Sequence, residues 1–173
     1  MPFYLIRHPP PLISAGTCYG QSDIEAEPLS PQARAEILRQ LPEPVRAPIY
    51  SSPLRRCSQT ARALFPDGNI TFDPRLQELN FGTWELTPWE QIPRQSLDAW
   101  AADLANFAPP SGESFRQLLT RCADFITSTA VEQPQIIVTH AGVIRAFEVL
   151  RRQVPLAAAL SLQIPYNSVH QLP

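Results

Sequence analysis

The segment PQIIVTH (134–140) runs without a gap into AGVIRAFEVLRRQ (141–153). An unbroken apolar run followed at once by a helical period is the mark of a strand buried on both faces and covered by a crossing helix. The pattern recurs. Residues 2–7, ending FYLIR, read as a first buried strand, APIYSS (47–52) as a second before a helix over 53–65, and ITFDPRL (70–76) as a third strand or an extended segment. Ser30-Pro31 supplies a cap and a first-turn proline for a helix over 31–41. Further helices are expected over 96–107, from the PPSGES break (109–114) to about 130, and over 155–160, with a last strand near 168–172. Alternating strands and helices predict an α/β chain: a three-layer α/β/α sandwich around a mostly parallel central sheet. At 173 residues one domain is expected.

In open sheets of this class, ligands bind beyond the carboxyl ends of the strands. The unusual residues fall there. The first strand ends in Arg7-His8, followed by three prolines and a loop running to residue 30. The second ends at Ser51-Ser52, with Arg55 and Arg56 one turn later; the third leads to Arg75 and Glu78; the fourth ends at His140. Taken singly, each has a structural explanation. Arg7-His8 suits a solvated strand end, His140 a satisfied sheet cap, Arg55 and Arg56 surface charges, and Glu78 a pair with Arg75. Together they suit one task, holding a phosphoryl group. Arginine donates in a fork that matches phosphate oxygens. Neutral imidazole is a nucleophile, and a carboxyl group can protonate an alkoxide. The helix beginning at Ala141-Gly142 adds N–H groups and positive potential.

Composition narrows the chemistry. All fourteen cationic residues are arginine, so Schiff-base and P-loop lysine chemistry is excluded. A net charge of −2 offers no field for nucleic acid or an anionic membrane. Cys18, Cys57 and Cys122 are scattered and odd in number, which reads as buried free thiols in a reducing compartment. No basic leader or membrane-length apolar run is evident, so a cytoplasmic location is expected. A metal site from His8, His140, His170 and Glu78 lacks any close-spaced ligand pair, and neither metal nor cofactor is expected.

The blocks LIRH, SSPLRRCSQTA, LQELNFGTWE and IIVTHAGVIR resemble, in order and spacing, the signature blocks of the histidine phosphatase superfamily, the phosphoglycerate mutase-like proteins. The resemblance implies that fold and a set of roles. His8 is the nucleophile that becomes phosphohistidine, Arg7 and Arg56 bind phosphate, and Glu78 protonates the leaving oxygen. His140 is the second histidine at the phosphoryl group, while Arg55 falls on a variable position. In the loop after the nucleophile, Pro9 stands where the family has glycine and Ser14 where it has asparagine. Tyr19-Gly20 stands at a substrate-touching pair. Proline holds His8 extended and keeps its own carbonyl, so a carbonyl that orients the ring survives.

The implied activity is a metal-independent phosphomonoesterase acting on a small-molecule phosphate ester. The alternatives are a mutase-type phosphotransferase and a phospho-ligand binding relative without turnover. Only Arg94, Arg116 and Arg121 lie between Glu78 and His140, a poor set for gripping phosphoglycerate. Trp84 and Trp89 suit either the floor of a flatter, partly apolar pocket or the core. The small size and the CYGQSD loop (18–23) resemble the alpha-ribazole phosphatase branch of cobalamin assembly.

Overall fold

The computed structural model describes residues 1–42, 47–129 and 133–173. In chain order these form β1 (Phe3–Arg7), α1 (Pro31–Arg39), β2 (Ile49–Ser51), α2 (Arg55–Leu64) and β3 (Ile70–Phe72), then α3 (Arg94–Ala102) and α4 (Phe115–Ser128). The C-terminal part holds β4 (Gln135–Thr139), α5 (Ala141–Arg152), α6 (Leu156–Ser161) and β5 (Val169–Leu172). The strands form one sheet in the order β3-β2-β4-β1-β5, parallel except for β5, which runs antiparallel to β1.

Side-chain alternation divides the core between the two faces. Ile6, Ile136 and Val138 pack with Ile37 of α1 and Leu64 of α2 on one side. Leu5 and Ile137 pack with Phe125 of α4 and Phe147 of α5 on the other. This is the expected three-layer arrangement, and it explains why all five residues of β4 are buried. The chain leaves β1 for α1 on one face and leaves the neighbouring β4 for α5 on the opposite face. A crevice therefore opens at the carboxyl ends of these two strands, where His8 and His140 sit.

Most elements lie within about two residues of the expected bounds, and two end well short of them, each because a short acidic side chain captures a nearby N–H. The third strand ends at Phe72, where the Asp73 carboxylate accepts from the backbone N–H of Arg75 at 2.9 Å and starts a single 3₁₀ turn, Pro74–Leu76. Helix α3 ends at Ala102, and Asp103 accepts from the Asn106 N–H at 3.1 Å, a turn-forming bond that competes with the helix. Helix α4 starts as expected with a reciprocal cap between Ser114 and Gln117. Its expected end near 130 lies outside the described residues. All three cysteines are buried and free.

Candidate active site

His8 follows the last residue of β1 and is 1% exposed. Its Nδ1 lies 2.6 Å from the carbonyl oxygen of Pro9. A carbonyl only accepts, so Nδ1 carries the proton and Nε2 keeps its lone pair. The proline thus orients the ring it follows. Burial, then the Arg56 and Arg7 charges, push the His8 pKa down to about 3 against the opposing effect of the Pro9 bond. The imidazole is neutral throughout the physiological range.

Arg56 lies in the first turn of α2 and is fully buried. Its Nε donates to His140 Nδ1 at 3.2 Å, Nη1 to the Ser22 carbonyl at 2.8 Å and Nη2 to the Gly20 carbonyl at 2.5 Å. None of these acceptors is anionic. Among the described residues neither Arg56 nor Arg7 takes part in an ion pair. A buried cation without a counter-charge is costly, and an entering dianion relieves that cost. Arg55, one residue earlier, is exposed and paired with Glu25. Arg7 donates to the Ile164 carbonyl, lies 3.8 Å from the Tyr166 ring centroid and has a buried Nε without a partner among the described residues.

His140 caps α5 and is fully buried. Since Nδ1 accepts from Arg56, the proton of the neutral ring sits on Nε2, which donates to Ser52 Oγ at 2.9 Å. Burial and the Arg56 charge hold its pKa well below the ordinary value. The two imidazole centroids are 5.1 Å apart. Unfolded histidines titrate near 6.5. As pH falls from that value toward 3, the unfolded chain binds protons that folded His8 and His140 refuse, so stability is full above about pH 6.5 and declines below it. The His8 share is about 2 kcal/mol between pH 6.5 and 5, and His140 adds in the same direction. Urea midpoints at pH 7.5 and 5 measure the loss; equal midpoints would overturn it.

Glu78 is held at the first turn of α5. Its Oε1 accepts from the Leu79 N–H at 2.9 Å and its Oε2 from the Gly142 N–H at 3.2 Å. Its own carbonyl accepts from Arg121 at 2.9 Å, and Arg121 is paired with Glu113. Arg75 pairs with Asp73 instead of Glu78. A Cβ on Gly142 would meet Glu78 Oε1 at 2.2 Å. Alanine is the better helix former by about 0.5–1 kcal/mol, and the carboxylate is mobile enough to swing aside. Gly142→Ala is therefore expected to fold with unchanged or slightly raised stability while losing turnover roughly tenfold or more, because a displaced group of this kind costs orders of magnitude in rate. Thermal unfolding and turnover on one preparation check both halves.

The remaining expected residues divide. Gly20, at φ +29°, has no room for a side chain against Glu85 and the Leu79 carbonyl, and its own carbonyl holds Arg56. Tyr19 lies 5.3 Å beneath the Arg56 guanidinium, and its hydroxyl is 3.3 Å from that of Tyr166. Ala141 is buried beside His140. Ser14 is not gathered in. It lies exposed and lines an outer hollow with Pro10, Pro11 and Tyr166. His170 pairs opposite Leu5 on β5 and hydrogen-bonds to Ser168. Trp84 is buried in an aromatic cluster, whereas Trp89 reaches a small hollow shared with Tyr19 and Glu78.

Three participants were not singled out in the sequence. Tyr166 stacks on Arg7. Arg145 lines a cavity beside Glu78. Glu85 accepts from the N–H groups of Gln21 at 2.7 Å, Ser22 at 2.5 Å and Phe81 at 3.0 Å, and from the Ser22 hydroxyl. It ties down the loop whose carbonyls hold Arg56. Its only sequence signal was its place in the LQELNFGTWE block.

The site thus joins two neutral histidines, a carboxyl group and two guanidinium groups outside any ion pair among the described residues at one edge of a mostly parallel sheet, the arrangement of the class of open α/β proteins whose ligands bind beyond the strand ends. Within it, the chain belongs to the histidine phosphatase superfamily (branch 1), whose family model matches residues 3–173. The chain is 28% identical over 168 residues to a metal-independent phosphoserine phosphatase of Arabidopsis thaliana, covering 91% of this chain and 70% of that one. It is 29% identical over 104 residues to an adenosylcobalamin/alpha-ribazole phosphatase of Salmonella typhimurium, covering 56% of this chain and 52% of that one, so the match spans about half the length of that relative. Among solved structures, a mycobacterial glucosyl-3-phosphoglycerate phosphatase complexed with VO3 superimposes with a TM-score of 0.81 at 28% identity, over 99% of this chain and 92% of that one.

Proposed function

We propose that the protein is a metal-independent phosphomonoesterase that works through a phosphohistidine on His8. In the first step the Nε2 lone pair of His8 forms a bond to phosphorus as the bond to the ester oxygen breaks, and Glu78 gives that oxygen a proton. In the second step Glu78 takes a proton from water, the water oxygen bonds to phosphorus, and the P–N bond breaks to release phosphate. Arg7 and Arg56 hold the equatorial oxygens, and His140, hydrogen-bonded to Arg56, keeps that guanidinium in place and stays neutral beside it. Positioning and charge stabilisation of this kind carry most phosphoryl transfer.

The observation that carries this reading is a pair of guanidinium groups, outside any ion pair among the described residues, next to a neutral, carbonyl-oriented imidazole. A catalyst for dianionic esters needs positive charge without resident carboxylate partners, whereas a purely structural cluster would neutralise it. The substrate expected is a small phosphorylated metabolite. Alpha-ribazole 5′-phosphate and phosphoserine head the panel, since the Salmonella and Arabidopsis relatives are named for those compounds. The test is phosphate release from that panel and from para-nitrophenyl phosphate, in EDTA. Release is expected. No release from any ester, with no acid-labile phosphate on the protein, would overturn the reading. Phosphate moved between the hydroxyls of phosphoglycerate faster than it is released would make the protein a mutase instead.

A further inference from the structure

Glu78 and Gly142 form the inner end of a cavity of about 290 Å³, near the small end of the range that holds small organic ligands. Its walls are Leu79, Phe81, Trp100, Leu104, Phe115 and Leu160. Among the described residues the one cation in the lining is Arg145, from the second turn of α5. Its Nη2 donates to the Leu162 carbonyl at 3.0 Å, while its Nε is buried with no partner among the described residues. Arg145 belongs to no ion pair among the described residues. An apolar, aromatic chamber with one half-buried guanidinium, outside any ion pair among the described residues and opposed only by the Glu78 charge, therefore adjoins the carboxyl group assigned to protonate the leaving oxygen.

We propose that this cavity is the leaving-group subsite, and that it selects phosphomonoesters whose alcohol part is an apolar, ring-sized body bearing one carboxylate held by Arg145. The proposal rests on the phosphomonoesterase reading for what stands at Glu78, and on no particular metabolite. The aromatic walls suit a flat ring. A single guanidinium suits one carboxylate, which it can grip through two parallel hydrogen bonds. A second phosphate would call for more donors than the lining offers. The volume admits one ring or a short chain. Arg94, Arg116 and Arg121 are engaged elsewhere, by Asp98, Asn106 and Glu113.

The test compares phenyl phosphate with its 3- and 4-carboxyl derivatives, in the wild type and in Arg145→Gln. One carboxylated ester is expected to show a kcat/KM at least about tenfold above the plain ester, as charge-assisted hydrogen bonds allow. The ratio should fall to about one in the variant, with Arg145→Lys restoring part of it. Dissociation constants of benzylphosphonate and its carboxylated analogues read the same preference without turnover. Preferential binding that Arg145→Gln abolishes supports the subsite even if no ester is hydrolysed, an outcome that removes only the phosphomonoesterase reading. Hydrolysis of all the esters at equal kcat/KM, with equal phosphonate affinities, overturns the subsite and leaves that reading standing. A preference that survives in Arg145→Gln overturns the assignment to Arg145.

Discussion

Replacing His8 with alanine is expected to cut turnover of every phosphomonoester by at least about 10⁴-fold, or some 5.5 kcal/mol of barrier. Acid-labile phosphate on the protein should vanish with it. The size follows from the covalent step: without the Nε2 lone pair, phosphorus has no protein nucleophile, and the groups around it can only assist water. The same variant makes a second, independent statement. His8 is buried and neutral with its pKa at about 3, so it contributes to the loss of stability in acid. Its removal should flatten the stability curve between pH 6.5 and 5 by about 2 kcal/mol, leaving the His140 share. An unchanged turnover rate would remove His8 from the nucleophile role. A turnover loss with an unaltered acid profile would mean that His8 is not held neutral.

The second large effect is a contrast between neighbours. Arg56→Ala is expected to lower kcat/KM by about 10³-fold, in line with other guanidinium groups at phosphoryl transfer sites. Arg55→Ala should stay within about threefold, with a stability change under about 1 kcal/mol, as expected for an exposed ion pair. Arg56 is fully buried and bonded to His140, Gly20 and Ser22, while Arg55 is exposed against Glu25. Inorganic phosphate should stabilise the wild type by about 2.7 kcal/mol at a hundredfold excess over its Kd, through binding to the native state alone. Arg56→Ala should lose that stabilisation and Arg55→Ala should keep it. Thermal unfolding with and without phosphate decides. Equal phosphate shifts in the two variants would detach Arg56 from the anion site.

Each tested feature was legible in the sequence to a different depth. The positions of His8 and Arg56 were readable because the elements that carry them leave strong local signals: a buried strand ending abruptly, and a helix whose first turn carries cations against its own dipole; the roles expected of them came from the family resemblance. The bounds of β3 and α3 were less readable. Asp73 and Asp103 terminate them through side-chain bonds whose strength depends on the turn already being formed. The loop from residue 9 to 30 has no period, so nothing local separated Ser14, which is exposed, from Gly20, which is packed against Glu85. Counting arginines between Glu78 and His140 passed over Arg145, because that residue follows the second histidine in the chain and reaches the cavity only through the pitch of α5.

The sequence by itself determined the layered α/β architecture and the placing of His8, Arg56 and His140 at the carboxyl ends of the strands. Those depend on hydrophobic periodicity and on groups fixed to the ends of regular elements. Only the tertiary structure decided which guanidinium groups lie outside ion pairs among the described residues, that the Glu78 carboxylate rests on the Gly142 N–H, that Glu85 anchors the loop holding Arg56, and that an aromatic cavity with Arg145 adjoins Glu78. These are pairings between segments remote along the chain, made through side chains whose partners become neighbours only when the sheet and its two helical layers have closed.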